Sequence, residues 1–581
     1  MKKVFTRVLL LAMTAAVVGS FGILSAAAAD PEPSADAPYA AGTVELRKNI
    51  TVTDSAYTPQ GDYSFYLYSP ADPHDFDMMS GQLNAVIYVY PDKPFASEAE
   101  ALARLTELGL VEIAEKTPAY IVCPNPLNGT AYTEDDLNVY YESSFYLAGG
   151  KIVSFTPPAG EYARCTYHNM QYIMAEGQGA DFVHNVLSQN ANRIAGILTF
   201  GGEMDAGIAK GVALPAYLVN ADQNIIDYYK AVNGTDAEKA ADHFVNSGYT
   251  EKQVIVKQGG DAFTKEAITD AWNALLSHLT RAPLESNVVI NTMDMTEWVL
   301  MTWPSYNEIG VTVKEHTYNY DGKDYLVYDY VPASYTGEKA VPLVIVLHGF
   351  SEDPLCPAAT CGWAEKASEE GFIVVAPDYI NDLSYDGLAE QPILQVIAET
   401  QAAYHIDASR IYMTGFSMGG MNTVTTGFAN PRIFAAIAPM AGGNTVPDSY
   451  FVSGAEYDLP VYWMRGTIDD TEAADEAGNI RYAGSFVENF AAYNGVALSE
   501  KVDYSLNPFG YEPDKETALV LQNYTYHIHD FYSDKHTNPM IELVCIDGVA
   551  HACSNVYADL AWNFMSKFAR GADGSLVELV E

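Results

Sequence analysis

Short apolar segments recur along the chain and alternate with longer segments of mixed polarity. The first half contains AVIYVY (Ala85–Tyr90) and AYIVCP, which ends at Pro124, and the second half contains LVIVLH (residues 343–348) and FIVVAP, which ends at Pro377. A strand covered on both faces is apolar throughout, whereas a half-exposed strand alternates. The pattern therefore predicts an α/β fold with mostly parallel sheets flanked by helices.

The two halves show the same local patterns in the same order, which indicates an internal repeat. The matched pairs are YSFYLYSP with YLVYDYVP, AVIYVY with LVIVLH, AYIVCP with FIVVAP, QYIMAEGQGA with IYMTGFSMGG, RIAGILTFGG with RIFAAIAPMAGG, LPAYLVN with LPVYWMR, QVIVKQGGD with LVCIDGVAH, and AWN with AWN. The shared order predicts two tandem domains, residues 30–283 and 284–581, joined near residues 283–307.

The first residues have the pattern of a targeting segment. Lys2, Lys3 and Arg7 precede a mostly apolar stretch over residues 8–24, and small residues follow it. This predicts a secretory signal peptide over residues 1–29 and an extracellular protein without membrane insertion after cleavage. The alternative is a retained membrane anchor, although the apolar stretch is interrupted and short for a span.

The chain is strongly acidic, with 31 Lys and Arg against 75 Asp and Glu and a formal net charge of −44. Such a surface repels nucleic acid and anionic lipid. We therefore expect no nucleic-acid partner. The charge identifies no substrate and leaves the oligomeric state open.

Six cysteines in an exported chain fit disulfides, although buried free thiols are the alternative. Our preferred set among the fifteen possible connectivities pairs near neighbours in sequence, namely Cys356 with Cys361 and Cys545 with Cys553, and leaves Cys123 for Cys165. The sequence has no closely spaced Cys/His pattern of the kind that binds zinc. We expect no metal.

Ser417 is the candidate nucleophile. It occupies the centre of Gly415-Phe-Ser417-Met-Gly419, which fits G-x-S-x-G, and lies between the strand-like RIYMT and the helix-compatible GGMNTVTTGFA. A sharp strand-to-helix turn of this kind exposes its serine and crowds the neighbouring positions, so it requires small residues there.

Only four histidines follow Ser417 in the chain, so the choice of general base is narrow. His551 follows the apolar segment IELVCIDGVA, at the end of a strand where catalytic groups gather in open α/β sheets. His527 and His529 alternate within YTYHIHDFY and fit an outer strand better. We predict His551 as the base, in the chain order Ser, acid, His of α/β-hydrolases.

The acid and the oxyanion hole have candidates too. Asp469 and Asp470 both follow the strand-like LPVYWMRGTI, and we prefer Asp469 as the acid. One oxyanion donor should be the backbone N–H of Met418, directly after the nucleophile, and the other the N–H of Phe350 in VIVLHGFSED. His348 in that segment fits a structural role.

These segments resemble secreted polyhydroxybutyrate depolymerases and feruloyl esterase-type hydrolases over residues 311–570, most specifically over residues 347–379 and 404–443. The resemblance implies ester hydrolysis through an acyl-enzyme, with Ser417, His551 and Asp469 as the triad and with no cofactor. It implies ester substrates, polymeric ones included: polyesters, or feruloyl or acetyl esters of polysaccharides. The sequence departs from the family where Arg465 replaces a histidine that is common before the acid.

The first half lacks this set of residues. Aligning Tyr172 with Tyr412 places Gly177, or Gln178 after a one-residue shift, opposite Ser417. The other counterparts are Asp261 for His551, a position near Asn224 for Asp469, and Val89-Tyr90-Pro91 for Leu347-His348-Gly349. We predict a degenerate, inactive hydrolase-like domain. A carbohydrate-binding platform of tyrosines is an alternative, but strand propensity explains many of the 41 tyrosines.

Two other functions remain open at this point. A serine peptidase of the prolyl-oligopeptidase type shares G-x-S-x-G and the triad order, but no repeat of propeller-blade length appears in the first half. A non-catalytic polysaccharide- or surface-binding protein is the other alternative. The complete triad candidates weigh against it.

Overall fold

The structure is a computed structural model that describes part of the chain. The described residues are 42–50, 59, 61–73, 84–148, 170–260, 263–282, 299–302, 306–349, 354–379, 389–442, 456–467, 469, 483–499, 502–522, 524–549, 551–552 and 554–579.

Ten strands form a sheet in the first half, in the spatial order β1-β2-β4-β3-β5-β6-β7-β10-β9-β8. Their bounds are β1 Thr43–Lys48, β2 Ser64–Ser69, β3 Ala85–Tyr90, β4 Ala119–Pro124, β5 Gln171–Glu176, β6 Ile194–Phe200, β7 Ala216–Val219, β8 Ala237–Ala240, β9 His243–Asn246 and β10 Tyr249–Lys257. The small antiparallel pair of β11 Leu279–Ala282 and β12 Val299–Thr302 follows.

Ten further strands form the sheet of the second half, in the order β13-β14-β16-β15-β17-β18-β19-β22-β21-β20. Their bounds are β13 Val311–Tyr320, β14 Lys323–Pro332, β15 Val341–Leu347, β16 Ile373–Pro377, β17 Ile406–Phe416, β18 Ala436–Met440, β19 Val461–Gly466, β20 Lys515–Leu521, β21 Tyr524–Phe531 and β22 Ile541–Ile546. The antiparallel pair of β23 Phe568–Arg570 and β24 Leu576–Glu578 closes the chain's described part.

Helices connect the strands in both halves. In the first half they are α1 Glu98–Glu107, α2 Leu110–Lys116, α3 Leu137–Ala148, α4 Gln178–Asn185, α5 Gln223–Asn233 and α6 Lys265–Ala274. In the second half they are α7 Leu355–Thr360, α8 Trp363–Glu370, α9 Glu390–Ala403, α10 Met418–Ala429, α11 Ala483–Asn494 and α12 Tyr557–Met565. Their local sequences suit helix ends; the Ser97 hydroxyl, for example, accepts from the N–H of Glu100 at the start of α1.

The two sheets have the same topology, strand for strand, with β13 in the place of β1 and β22 in the place of β10. The central strands are parallel and the outer ones antiparallel, which is the arrangement of the α/β-hydrolase fold. The predicted fold class and the internal repeat are therefore confirmed. The described residues of the first half form an α/β sheet and not a propeller. They therefore lack the β-propeller expected before the catalytic domain of a prolyl-oligopeptidase-type enzyme.

Alternating side chains explain why the central strands are apolar throughout. In β3, Val86 and Tyr88 pack into one buried cluster while Ile87 and Val89 pack into another, so both faces of the sheet are covered. Burying apolar surface contributes about 25 cal/mol per Å². The same argument applies to β15, whose residues from Pro342 onward are all buried.

Each half closes with the same two polar contacts. The hydroxyl of Tyr172 donates to the carbonyl of Leu279 (2.6 Å), and that of Tyr412 donates to the carbonyl of Phe568 (2.8 Å). A buried arginine two residues further along the same strand, Arg281 or Arg570, donates from Nε to a backbone carbonyl, that of Ile194 or Phe434. These paired contacts satisfy polar groups that would otherwise be costly to bury, and they repeat because the topology repeats.

The cysteines differ from the preferred pairing as far as they are described. The described side chains, Cys123, Cys361 and Cys545, are buried free thiols. The side chains of their intended partners, Cys165, Cys356 and Cys553, lie outside the described residues. No disulfide is therefore shown, and burial raises the pKa of Cys545 to about 12, which keeps that thiol protonated.

Two surface properties bear on the remaining expectations. None of the helices in the described ranges has both the length and the apolar content needed to cross a bilayer. Within the same ranges the aromatic side chains are buried or partly exposed.

Buried carboxyl groups make the stability of the second half depend on pH. Glu542 on β22 lies directly opposite Asp530 on β21, and both are buried. Burial first, and then the charge of Asp530, raise the pKa of Glu542 well above its ordinary 4.5, while burial raises the pKa of Glu365 to about 7. The folded protein therefore holds these protons more tightly than the unfolded chain does.

We predict that the contribution of Glu542 and Glu365 to the free energy of unfolding falls as the pH rises from about 5 to 8, because the unfolded chain has already released these protons while the folded state still holds them. Glu542→Gln should make this fall less steep in urea unfolding at several pH values. Glu512→Gln, at an exposed site, should leave it unchanged. A slope identical in Glu542→Gln and the unmodified protein would contradict the assignment.

Candidate active site

Ser417 lies at a sharp turn between β17 and α10. Its backbone has φ +55° and ψ −114°, a conformation that a non-glycine residue adopts only under strain. The serine is partly exposed, whereas Phe416 and Met418 on either side are buried. This is the geometry of a nucleophile elbow, with the side chain presented at the end of the sheet.

Three glycines allow the backbone to pack closely around this turn. A Cβ atom at Gly419 would overlap the carbonyl oxygen of Leu347, and one at Gly415 would contact the backbone of Gly419. A Cβ at Gly442, after β18, would overlap the carbonyl oxygen of Ser417 itself. The motif therefore needs glycine for space, in agreement with the sequence argument.

His551 and Asp469 lie together next to the elbow. His551 Nδ1 is 3.1 and 3.2 Å from the two carboxylate oxygens of Asp469, which is fully buried. The His551 ring packs on that of Phe416, with 4.7 Å between the centroids. An Nδ1–H that donates to Asp469 leaves Nε2 as the nitrogen that can accept a proton, which is the tautomer a general base requires.

Arg465 supports the turn that carries Asp469. Its guanidinium is buried, and Nη2 donates to the backbone carbonyl of Asp469. Two residues earlier on β19, the indole N–H of Trp463 donates to the carbonyl of Gly442 (2.8 Å), so one strand face holds both the acid turn and the segment under the elbow. The sequence showed Arg465 only as a departure from the family. The spacing of two residues between Trp463 and Arg465 in a predicted strand was the available signal that both side chains lie on the same face.

The oxyanion segment is described in part. The N–H of Met418 is at the first turn of α10, where the helix N-terminus favours negative charge. Phe350, the other predicted donor, lies outside the described residues. His348 is buried with Nδ1 2.8 Å from the carbonyl oxygen of Gly349, and its own carbonyl accepts a hydrogen bond from Tyr379 (2.5 Å), so this segment is held by a tyrosine that the sequence did not single out.

The other histidines that follow Ser417 have polar contacts elsewhere in the second half. His527 and His529 are in β21, where His527 Nε2 lies 3.0 Å from Asp547 and burial lowers the pKa of His529. His536 Nε2 lies 3.0 Å from Asp458. Asp470 lies outside the described residues.

The first half has an elbow of the same shape without a serine. Gly177, between β5 and α4, has φ +55° and ψ −126°, nearly the angles of Ser417. A Cβ at Gly177 would overlap the carboxylate of Asp92, and the same carboxylate accepts from the N–H of Gln178 (3.2 Å), the counterpart of Met418. The alignment of Ser417 with Gly177 is therefore confirmed, and the shift to Gln178 is wrong.

The match of the oxyanion segment needs a correction. Tyr90 pairs with Ala175 and Leu347 pairs with Gly415, so Leu347-His348-Gly349 corresponds to Tyr90-Pro91-Asp92 and not to Val89-Tyr90-Pro91. The sequence match was one residue out because apolar strands of this kind align almost equally well in neighbouring registers. The counterpart of His551, Asp261, lies outside the described residues, and Asn224 near the Asp469 position donates to the carbonyl of Met204 (3.3 Å).

Three curated relatives resemble parts of the chain. A bifunctional acetylxylan esterase/xylanase of Neocallimastix patriciarum is 35% identical over 133 residues (22% of this chain, 19% of the relative). A poly(3-hydroxyalkanoate) depolymerase of Paucimonas lemoignei is 24% identical over 239 residues (36% and 54%), and a probable feruloyl esterase of Aspergillus terreus is 27% identical over 188 residues (31% and 66%). The chain spans less than two thirds of the length of each relative. No protein-family profile matches it.

Solved structures of similar proteins include an acetyl xylan esterase from Aspergillus awamori, with 16% identity and a TM-score of 0.33 over 44% of this chain and 99% of that one. A feruloyl esterase module from Clostridium thermocellum has 14% identity and a TM-score of 0.30 over 44% and 87%. The strand order of the two sheets, and not these low scores, carries the fold assignment.

We predict that Gly442→Ala destabilises the second half by at least about 2 kcal/mol, because the new Cβ must displace the backbone of Ser417. Urea unfolding measures this change. Gly248→Ala is the control, since its Cβ would meet only ordinary contacts, and it should change the free energy of unfolding by about 0.5 kcal/mol or less. Equal effects of the two substitutions would contradict the close packing described for the elbow.

Proposed function

We propose that the second half, residues 284–581, is a carboxylic ester hydrolase that uses Ser417 as its nucleophile. The observation that carries the proposal is the hydrogen-bonded pair of His551 and buried Asp469 next to a strained, partly exposed serine. A serine is a weak nucleophile unless a base activates it, and the base acts best when a third group orients it. The names of the three relatives support ester chemistry.

In the proposed reaction, Ser417 Oγ attacks the ester carbonyl while His551 Nε2 takes the hydroxyl proton. The N–H groups of Met418 and Phe350 would stabilise the negative oxygen of the tetrahedral intermediate. His551 then gives its proton to the departing alcohol, which leaves an acyl group on Ser417. Water, activated by His551, attacks this acyl-enzyme and releases the acid. Asp469 stabilises the imidazolium throughout.

The proposed substrates are esters of the classes named for the relatives: acetyl or feruloyl esters of plant polysaccharide, or polyesters. The first half, residues 30–283, is proposed to be catalytically inactive. Gly177 offers no nucleophile. The N–H of Gln178, which corresponds to the oxyanion donor of Met418, already donates to the carboxylate of Asp92. A negative group at that point would repel the developing oxyanion.

We predict that the protein hydrolyses p-nitrophenyl acetate and butyrate and that Ser417→Ala lowers kcat by at least about 10³-fold, because the nucleophile is lost. Ser409→Ala, which changes another serine of the same strand, should keep normal turnover. Full activity in Ser417→Ala would contradict the assignment and would point to a second site. Faster turnover of a prolyl p-nitroanilide than of the esters would favour the peptidase alternative.

The proposal includes export, with residues 1–29 as the signal peptide. N-terminal sequencing of protein from the culture medium should then find Asp30 as the first residue, because signal peptidase cleaves after small residues such as Ala29. Retention of the intact chain in the membrane fraction would instead support the anchor alternative.

A further inference from the structure

The two halves share a buried contact at the start of β10. Tyr249 and Ala213 of the first half belong to the same buried apolar cluster as the core of the second half. The hydroxyl of Tyr249 donates to the carbonyl of Leu300 on β12 (2.8 Å). The first half is therefore packed onto the second at this point.

The ladder of β10 is irregular directly after Tyr249. Tyr249 pairs with Asn246 and Gln253 pairs with Val245, so residues 250–252 bulge out of the ladder with β9. The corresponding strands of the second half, β21 and β22, pair in unbroken register. Bulges commonly redirect a side chain, and here the bulge contains Glu251, which is almost fully buried.

Glu251 contacts the segment that follows His551. Its Oε1 accepts a hydrogen bond from Asn555 Nδ2 (2.8 Å), and Asn555 Oδ1 accepts from Gln522 Nε2 (2.5 Å). The Oε1 of Gln522 in turn accepts from the hydroxyl of Ser554. Gln522 and Ser554 are buried, so this network is shielded from water.

The network holds Ser554 and Asn555, two residues that lie between His551 and α12 in the chain. Asn555 is four residues after His551 and two before α12. Its backbone carbonyl lies against Gly362, where a Cβ atom would overlap it, and the N–H of Ala558 donates to the carbonyl of Cys361 (2.9 Å). Movement of Asn555 would therefore be transmitted over a few bonds to His551.

We infer that Glu251 of the catalytically empty half is a positioning residue for His551, acting through Asn555. The inference rests on the proposed function, since it concerns the placement of the proposed general base. A displacement of about 1 Å at a reacting group can reduce turnover about 10²-fold. A carboxylate is a strong acceptor for an amide N–H, and in a shielded site the bond holds the segment more firmly than water would.

The test first breaks the hydrogen bond between Asn555 and Glu251 and then restores it with the donor and acceptor exchanged. Asn555→Asp brings a second carboxylate against Glu251, and we expect kcat on p-nitrophenyl acetate to fall about 10- to 100-fold with KM changed less than about threefold. Adding Glu251→Gln supplies an amide that can donate to the new carboxylate, so the double variant should recover kcat to within about threefold of the unmodified protein. Glu266→Gln, at an exposed site of the first half, is the control and should have no effect.

Loss of kcat without rescue in the double variant, or unchanged kcat in Asn555→Asp, would overturn the inference. Hydrogen exchange of residues 551–557 gives a second measurement that needs no activity: exchange should accelerate in Asn555→Asp and return towards normal in the double variant. If the unmodified protein shows no Ser417-dependent turnover, the proposed function fails, while the exchange data still test whether Glu251 holds the segment through Asn555. If turnover depends on Ser417, and neither kcat nor hydrogen exchange changes in Asn555→Asp, only the inferred role of Glu251 is wrong.

Discussion

The close approach of three backbone segments around Ser417 is the constraint on which the candidate site depends. The serine holds a conformation that costs about 1–3 kcal/mol, so its surroundings must supply that energy. Strand β17 lies between two parallel neighbours, β15 and β18, and α10 behind it is largely buried. Glycines at 415, 419 and 442 let these elements touch without a side chain between them. A larger residue at any of the three would force the elbow apart.

The first half repeats the shape of the elbow without its serine. Gly177 has nearly the same backbone angles as Ser417 but needs no compensation, because glycine adopts a positive φ without penalty. The apolar strands and the closing contacts of Tyr172 and Arg281 preserve the architecture. At the elbow of the first half the carboxylate of Asp92 accepts a hydrogen bond from the N–H of Gln178 and the turn has no serine, in keeping with the rule that function is carried by sites placed on a fold. Within our account, the first half contributes through Glu251 and not through chemistry of its own.

Much of this could be predicted from the sequence, because the signals were local. Uniformly apolar strands, their repeated order and the glycines around Ser417 each depend on residues close together in the chain, and the topology, the elbow and the contact of His551 with Asp469 agree with them. The remainder depends on register and on long-range contacts. The one-residue error at Tyr90 arose because a buried strand has no alternation to mark its register. The bulge that exposes Glu251 to Asn555, 304 residues away, leaves no local pattern at all.

The central claim, that one serine of this duplicated fold performs the chemistry, is tested most directly by covalent labelling. A p-nitrophenyl phosphonate ester phosphonylates an activated serine, and peptide mass spectrometry locates the adduct. The account predicts one adduct per chain, on Ser417, formed in step with the loss of ester turnover and absent after His551→Ala. An adduct in the first half, or complete loss of turnover with Ser417 unmodified, would contradict it.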